Sequence, residues 1–231
     1  MNYLAALLLS IIAVLPQGDT TRFVDAGSLL ISQRAVDNVM THETGGYDYY
    51  KKLCERPENP GFSSGVTIGV GYDLKFHTPA QIRRDWQGVV SVDELDALCS
   101  VAGKPGSAVG SIKYKVRISW EKAQVVFKRT TVSEWAKNTA VAYNITKPNM
   151  LHPHLNGALW GNSFNRGAAM SGDRCLEKRQ IRDAIASKNW AAIPGRFDAQ
   201  ARLWPGHAGL TQRRHDEGDL AREALKFSWW K

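Results

Sequence analysis

Glu43, Thr67 and Asp73, in the first third of this 231-residue chain, are the side chains whose types and spacing best suit proton chemistry. Hydrolysis of a glycosidic bond needs a proton donor for the leaving oxygen. It also needs a second polar group that handles the attacking water or the positive charge that develops on the sugar. Because the set Glu43, Thr67 and Asp73 combines two carboxylates with a hydroxyl, it indicates acid–base chemistry on a glycoside.

Glu43 closes a helical pattern of apolar residues. Val36, Val39 and Met40 recur at positions i, i+3 and i+4. Glu43 follows at i+7, so we expect it on the apolar face, and Gly45-Gly46 predicts that the helix ends there. Partial burial and the negative end of the helix dipole both favour the protonated carboxyl that a general acid requires. The alternative is a solvated glutamate at a helix end.

The segment from Val66 to Leu74 alternates with period two, which predicts a strand with one buried and one polar face. The polar face carries Thr67, two glycines and Asp73. Six residues of straight strand span ~20 Å at about 3.3 Å each. The chain must therefore turn or bulge around Gly69 to Gly71, or only one of the two polar side chains reaches the reacting water. The alternative is a tight hairpin in which Asp73 is a turn residue.

The order of these residues resembles the phage-type lysozyme superfamily, and within it the pesticin-type muramidases. In that group a glutamate, a threonine and an aspartate six residues after the threonine form the catalytic set. The resemblance maps this set onto Glu43, Thr67 and Asp73. Other members place an Asp or Cys six residues before the threonine. This chain has Gly61 there, so the pesticin-type arrangement is the more similar one.

Two later segments agree with the resemblance. Residues 163–167 read Ser-Phe-Asn-Arg-Gly and resemble the Phe-Asn-x-Gly helix of the superfamily, which implies that Asn165 and Arg166 lie near the cleft. Residues 209–217 resemble its C-terminal signature, Gly-Leu-x-x-Arg-Arg-x-x-Glu. For Arg166 and for Arg213-Arg214 we expect intramolecular salt bridges or contacts to carbonyls rather than catalysis.

The rest of the chain is interpreted mainly as helices. Thr78, Ser91 and Ser119 are N-cap signals. Thr78 is followed by Pro79 at the first helical position, and Ser91 begins a capping box. Helices are predicted at 79–86, 92–103, 119–143, 154–165, 173–187 and 212–227. The helix at 119–143 is predicted to be interrupted near 130–131, and Pro194-Gly195 is predicted to divide 190–203 into two short pieces. A short strand is predicted at 112–118. This is an α+β fold. The resemblance implies a lysozyme-like arrangement, in which a small β-hairpin element and a mainly helical lobe flank the active-site cleft.

The first 18 residues are predicted to be a signal peptide or a releasable membrane anchor. Residues 4–15 form an uncharged, mostly apolar run that is too short for a comfortable membrane span and fits a signal peptide core. We therefore expect export to the periplasm or medium. Residues 19–231 are then one catalytic domain, which we expect to act as a monomer.

The net charge of +8 indicates an anionic partner. Bacterial cell-wall polymers and nucleic acid both qualify. The basic residues are scattered, and the sequence has no helix-turn-helix or zinc-finger spacing, so we do not expect nucleic-acid binding.

His152-Pro153-His154 lacks a third ligand at a suitable spacing and is interpreted as a loop before a helix rather than a metal site. Of Cys54, Cys99 and Cys175, one pair could form a disulfide in an exported protein.

The resemblance implies a bacteriolytic muramidase without metal or cofactor, such as a stand-alone lysin, a phage endolysin or an exported antibacterial effector. Glu43 would be the acid, Asp73 would orient water or stabilise positive charge, and Thr67 would position the water. Inversion at the anomeric carbon is the expected stereochemistry. Two alternatives stay open: a lytic transglycosylase, which needs one glutamate and no second carboxylate, and a non-catalytic module that binds peptidoglycan.

Overall fold

The computed structural model describes residues 21–61 and 63–227, so the predicted N-terminal segment 1–18 lies outside the described residues. The described part is mostly helical and has two small antiparallel sheets, which confirms the α+β class. Within these residues, no helix has both the length and the apolar character of a membrane span.

The described residues form ten α-helices and four short strands, with short 3₁₀- and π-helical segments between them. The helices are α1 (Gln33–Thr44), α2 (Tyr47–Tyr49), α3 (Pro79–Trp86), α4 (Val92–Ser100), α5 (Trp120–Phe127), α6 (Ser133–Ala142), α7 (Pro153–Arg166), α8 (Leu176–Ala186), α9 (Ile193–Ala199) and α10 (Ala208–Ala224). The strands are β1 (Phe23–Asp25), β2 (Leu30–Ser32), β3 (Thr67–Ile68) and β4 (Tyr72–Asp73). Helix α2 continues as a π-helical turn at Tyr50–Cys54, and 3₁₀ turns occupy Leu74–Phe76, Gly106–Ser111, Asp173–Cys175, Trp190–Ala192 and Gln200–Leu203.

Helix α7 lies at the centre of the fold. It is buried on all sides from Pro153 to Ser163 and packs against α1, α6, α10 and β2. A helix without an exposed face must satisfy its polar side chains internally. The Asn156 amide does so by donating to the carbonyls of Leu30 (3.0 Å), Pro148 (3.0 Å) and Leu151 (3.2 Å). These bonds fix β2 and the preceding loop against α7.

Helix α1 is held against α7 by a close approach at Gly157. A Cβ at Gly157 would lie 2.3 Å from the Cβ of Ala35, so only glycine fits there. Ser32 caps the start of α1 by accepting from the backbone N–H of Ala35 (3.3 Å). Gly45 ends the helix in the left-handed region, with φ of 72°. These contacts place Glu43 in the last turn of α1, as predicted.

The three predicted N-caps are confirmed. Thr78 and Ser91 form capping boxes at α3 and α4, and the Ser119 side chain accepts from the N–H of Lys122 at α5. The predicted interruption near 130 is a π-helical turn, Lys128–Val132, between α5 and α6. His152 caps α7 by accepting from the N–H of His154, whereas Pro153 and His154 form the first turn of the helix, so the predicted loop before a helix holds for His152 only.

Two predictions of local structure are wrong. Residues 112–118 are not a strand: the N–H groups of Lys113 and Val116 donate to carbonyls four residues earlier, so this segment has turn-like pairing instead of ladder pairing. Pro194 does not divide its segment, because it lies in the first turn of α9, where a missing N–H costs nothing. The cysteines that could have paired, Cys54, Cys99 and Cys175, are all free thiols.

We expect Gly157→Ala to lower the free energy of unfolding by about 1–3 kcal/mol, because the added methyl must push α1 and α7 apart. Alanine is the better helix former by ~1 kcal/mol, so propensity alone predicts the opposite sign. The matched control is Gly195→Ala in α9, where the new Cβ meets nothing within 4 Å; it should leave stability unchanged or raise it. Urea unfolding of both variants measures this, and a stable Gly157→Ala protein would contradict the close approach.

Candidate active site

Glu43 forms an ion pair with Arg213 of α10. Glu43 Oε1 accepts from Arg213 Nη1 at 2.6 Å. The Arg213 side chain is 5% exposed, whereas the Glu43 side chain is 34% exposed and therefore reaches solvent. Val36, Val39 and Met40 are buried, as their spacing predicted. Glu43 thus lies at the border between the apolar core and water.

Arg213 belongs to a buried charged cluster formed by the C-terminal signature. Arg214 donates to Glu217 Oε1 at 2.7 Å, and Asn162 donates to Glu217 Oε2 at 2.7 Å. Burial raises the pKa of Glu217, and the neighbouring Arg214, Asn162 and Arg213 oppose this rise. The expectation of intramolecular salt bridges is therefore confirmed for both arginines. The sequence did not indicate that the partner of Arg213 is Glu43.

A second pair ties the end of α1 to α10. His42 Nε2 lies 2.8 Å from Asp216 Oδ2, and Gln212 donates to Asp216 Oδ1 at 2.9 Å. The end of α1, and with it Glu43, is therefore held by two adjacent contacts to α10, Glu43 to Arg213 and His42 to Asp216.

Arg166, which the resemblance implied near the cleft, instead hydrogen-bonds the Gln200 side chain and the carbonyl of Arg174.

Thr67 and Asp73 are brought together by the predicted turn. Strands β3 and β4 pair antiparallel with Thr67 opposite Asp73. The turn contains Gly69 and Gly71, with φ of 58° and 69°, a region that strongly favours glycine. The two side chains are direct cross-strand neighbours, which removes the separation that a straight strand would impose.

Asp73 supports the backbone around it. Its Oδ1 accepts from the N–H groups of Lys75 (2.9 Å) and Gly65 (3.1 Å), and its Oδ2 accepts from Gly65 (3.0 Å). The Lys75 contact caps the 3₁₀ turn Leu74–Phe76. A Cβ at Gly65 would lie 2.5 Å from Asp73 Oδ1, so glycine is needed for this approach. Both oxygens of Asp73 are thus engaged by main-chain donors.

A cleft of about 730 Å³ contains Glu43. It is lined by Glu43, Thr44, Tyr49, Lys51, Lys52, Leu53, Cys54, Glu55, Arg56, Pro57, Glu58, Lys113 and Arg117. Thr67 and Asp73 are not among the described residues that line this cavity. They are linked to it through Glu58, because Thr67 and Glu58 exchange two backbone hydrogen bonds of 2.9 and 3.0 Å.

Sequence reasoning missed two groups at this cleft, Arg213 as the partner of Glu43 and Glu58 as a carboxylate of the lining. Partial burial raises the pKa of Glu58, and Lys113 opposes this rise. Glu58 lies between Pro57 and Pro60 in a segment without periodicity, so no local pattern could have singled it out. Among the described residues, no three His, Cys, Asp or Glu side chains come together in a group that could hold a metal ion.

Comparison with known proteins leaves the family open. No protein-family model matches this sequence, and no curated protein matches it.

We expect Asp73→Asn to lower the free energy of unfolding by about 1–3 kcal/mol, because an amide N–H₂ in place of Oδ2 would face the N–H of Gly65, so that two donors oppose each other and only Oδ1 still accepts from Gly65 and Lys75. Asp25→Asn is the matched control. Asp25 accepts one bond from Gly27 through Oδ1 on an exposed turn, which asparagine can reproduce, so its effect should stay within about 0.5 kcal/mol. Equal stability of the two variants in urea unfolding would argue against a structural role for Asp73.

Proposed function

We propose that this protein is a lysozyme-like glycoside hydrolase that cleaves the bond between N-acetylmuramic acid and N-acetylglucosamine in peptidoglycan. The observation that carries the proposal is Glu43, a partly exposed carboxyl group in a cleft, whose orientation is fixed by a buried arginine. The order of motifs that resembles the phage-type lysozymes supports the same conclusion, and the α+β class agrees with it.

Glu43 would serve as the general acid. It donates a proton to the glycosidic oxygen as the bond to the anomeric carbon breaks. The carboxylate that remains is stabilised by Arg213, which already donates to Oε1 at 2.6 Å. The structure contains this ion pair already, so Glu43 must take up a proton before the transfer, and the ion pair with the 5% exposed Arg213 forms again after it.

The other cleft side chains favour an anionic glycan as substrate. Five of them are basic: Lys51, Lys52, Arg56, Lys113 and Arg117. Peptidoglycan carries carboxylates on its muramic acid and on its peptide stems, so basic side chains along the cleft would bind it better than a neutral glycan. Tyr49 also lines the cleft and is 53% exposed, which makes its ring accessible to a sugar face.

A lytic transglycosylase is the second candidate, and one observation favours it. Both oxygens of Asp73 already accept main-chain hydrogen bonds. A mechanism with a single glutamate does not need Asp73 to contact water. The two reactions differ in their product, since hydrolysis leaves a reducing sugar and the transglycosylase leaves an anhydro sugar.

We expect the purified protein to release fragments with reducing ends from isolated peptidoglycan, and Glu43→Gln to lower this rate by ~10²–10⁴-fold, as loss of a general acid does. The glutamine oxygen can still accept from Arg213 but carries no charge, so urea unfolding must first establish that the variant is folded under the assay conditions. The control is Glu223→Gln, which changes an acidic residue near the far end of α10 that pairs only with Lys226 among the described residues. Mass spectrometry of the fragments distinguishes reducing from anhydro ends. Near wild-type cleavage by folded Glu43→Gln would overturn the proposal.

A further inference from the structure

Tyr49 differs from the other exposed tyrosines of this region in the state of its ring. The ring of Tyr47 has Lys51 Nζ at 5.8 Å from its centre, and the ring of Tyr114 has the Arg56 guanidinium at 5.6 Å. Tyr49 is 53% exposed, and none of the described residues makes a ring contact or a cation–π contact with it. Its ring is therefore the one of these three that a ligand can cover without displacing a cation.

The Tyr49 ring is held close to the end of α1. Tyr49 and Glu43 line the same cleft. A Cβ at Gly45 would lie 3.0 Å from Tyr49 Cγ and 3.2 Å from Cδ1, so the ring begins directly against the Gly45 backbone. Gly45 follows Glu43 by two residues. The glycine that ends α1 thus also leaves room for the ring beside the proposed acid.

The next residue, Tyr50, fixes the helical turn that carries Tyr49. Tyr50 is fully buried, its hydroxyl donates to the carbonyl of Ile118 at 2.9 Å, and its ring packs edge-on against Trp120 at 5.1 Å. Consecutive helical residues point about 100° apart. Anchoring Tyr50 in the core therefore turns Tyr49 outward in a fixed backbone, which lowers the ordering cost of binding.

Leu53 extends the apolar surface of this part of the cleft. It follows Tyr49 by four positions, lines the same cleft and is 50% exposed. A tyrosine ring suits the C–H face of a pyranose, because the ring is apolar while its hydroxyl stays in water. An aliphatic side chain suits a methyl group, whose removal from water is favourable. A ring next to an exposed leucine thus fits a sugar that carries an acetyl group.

We propose that Tyr49 and Leu53 form a sugar-binding subsite beside Glu43, in which the ring packs on the face of an N-acetylated pyranose and Leu53 contacts the acetyl methyl. This inference rests on the proposed function and names the substituent that the cleft recognises. Both contacts are made away from the bond that breaks. They are equally strong before and during cleavage, so they lower KM and leave kcat nearly unchanged.

The ring is tested by kinetics of the full protein on solubilised peptidoglycan strands. We expect Tyr49→Leu to raise KM about 3–10-fold and to change kcat less than about twofold. Tyr49→Phe keeps the ring and should match the wild type. The matched control is Tyr114→Leu, because Tyr114 is 80% exposed and is not among the described residues that line this cleft. It should leave both constants unchanged.

The acetyl contact is tested by a cycle that pairs Leu53→Asn with chemically N-deacetylated strands. Leu53→Asn should lower kcat/KM about 3–10-fold on acetylated strands and have no effect on deacetylated ones. Comparing variant with wild type on each substrate cancels the effect of the new amino groups. Leu176→Asn is the control, since Leu176 is 42% exposed and lies outside the described cleft lining.

Binding separates this inference from the proposed function. Sedimentation of the protein with intact peptidoglycan measures binding without cleavage. A wild type that binds but releases no sugar ends overturns the proposed function, and the subsite stands if Tyr49→Leu weakens that binding. A wild type that cleaves, with Tyr49→Leu and Tyr114→Leu of equal KM, overturns the subsite alone. Equal effects of Leu53→Asn on both kinds of strand overturn the acetyl contact. A wild type that neither binds nor cleaves overturns both.

Discussion

The ion pair between Arg213 and Glu43 is the contact on which the rest of this structure depends. A guanidinium that is 5% exposed needs compensating negative charge. Glu217 lies 3.9 Å from Arg213 Nε but also pairs with Arg214. Glu43 therefore supplies the second carboxylate for two buried cations. The charge balance of the core and the chemistry of the cleft then depend on the same side chain, which fixes the end of α1 against α10.

The charged side chains around the cleft are partly exposed and differ in this from the buried partner of Glu43, Arg213. Arg117 is paired with Glu55, while Lys51 and Arg56 lie over the rings of Tyr47 and Tyr114. Such partly exposed cations act over a distance of about 8 Å at physiological salt. In the proposed function they would raise the local concentration of an anionic glycan without discriminating between ground and transition state. Rate acceleration would have to come from groups that change their interaction during bond cleavage, the role proposed for Glu43.

Local signals were sufficient to predict much of this fold from the sequence. In the capping box of α4, the side chains of Ser91 and Glu94 each accept a hydrogen bond from the backbone N–H of the other residue. These bonds lie within four residues, so the box can be predicted without tertiary information. Gly69 and Gly71 predict the hairpin turn for the same reason. The pairing of Arg213 with Glu43 spans 170 positions and depends on how α1, α7 and α10 pack. No periodicity could reveal it. The error at 112–118 has a local cause: Ile112, Val116 and Ile118 are buried and have the even spacing of one strand face, but the backbone N–H groups of Lys113 and Val116 bond four residues back.

Asp73 shows why a motif position alone does not establish a catalytic role. A carboxylate that accepts from two backbone N–H groups, one of them shared by both oxygens, holds Gly65, Lys75 and the hairpin in one arrangement. These contacts give Asp73 a structural role whether or not its remaining acceptor capacity also binds a water. The hairpin does, however, position the backbone of Glu58 through Thr67. The glycine-rich segment therefore has two structural effects: it places Thr67 opposite Asp73, and it fixes the backbone of Glu58 at the edge of the cleft that contains Glu43.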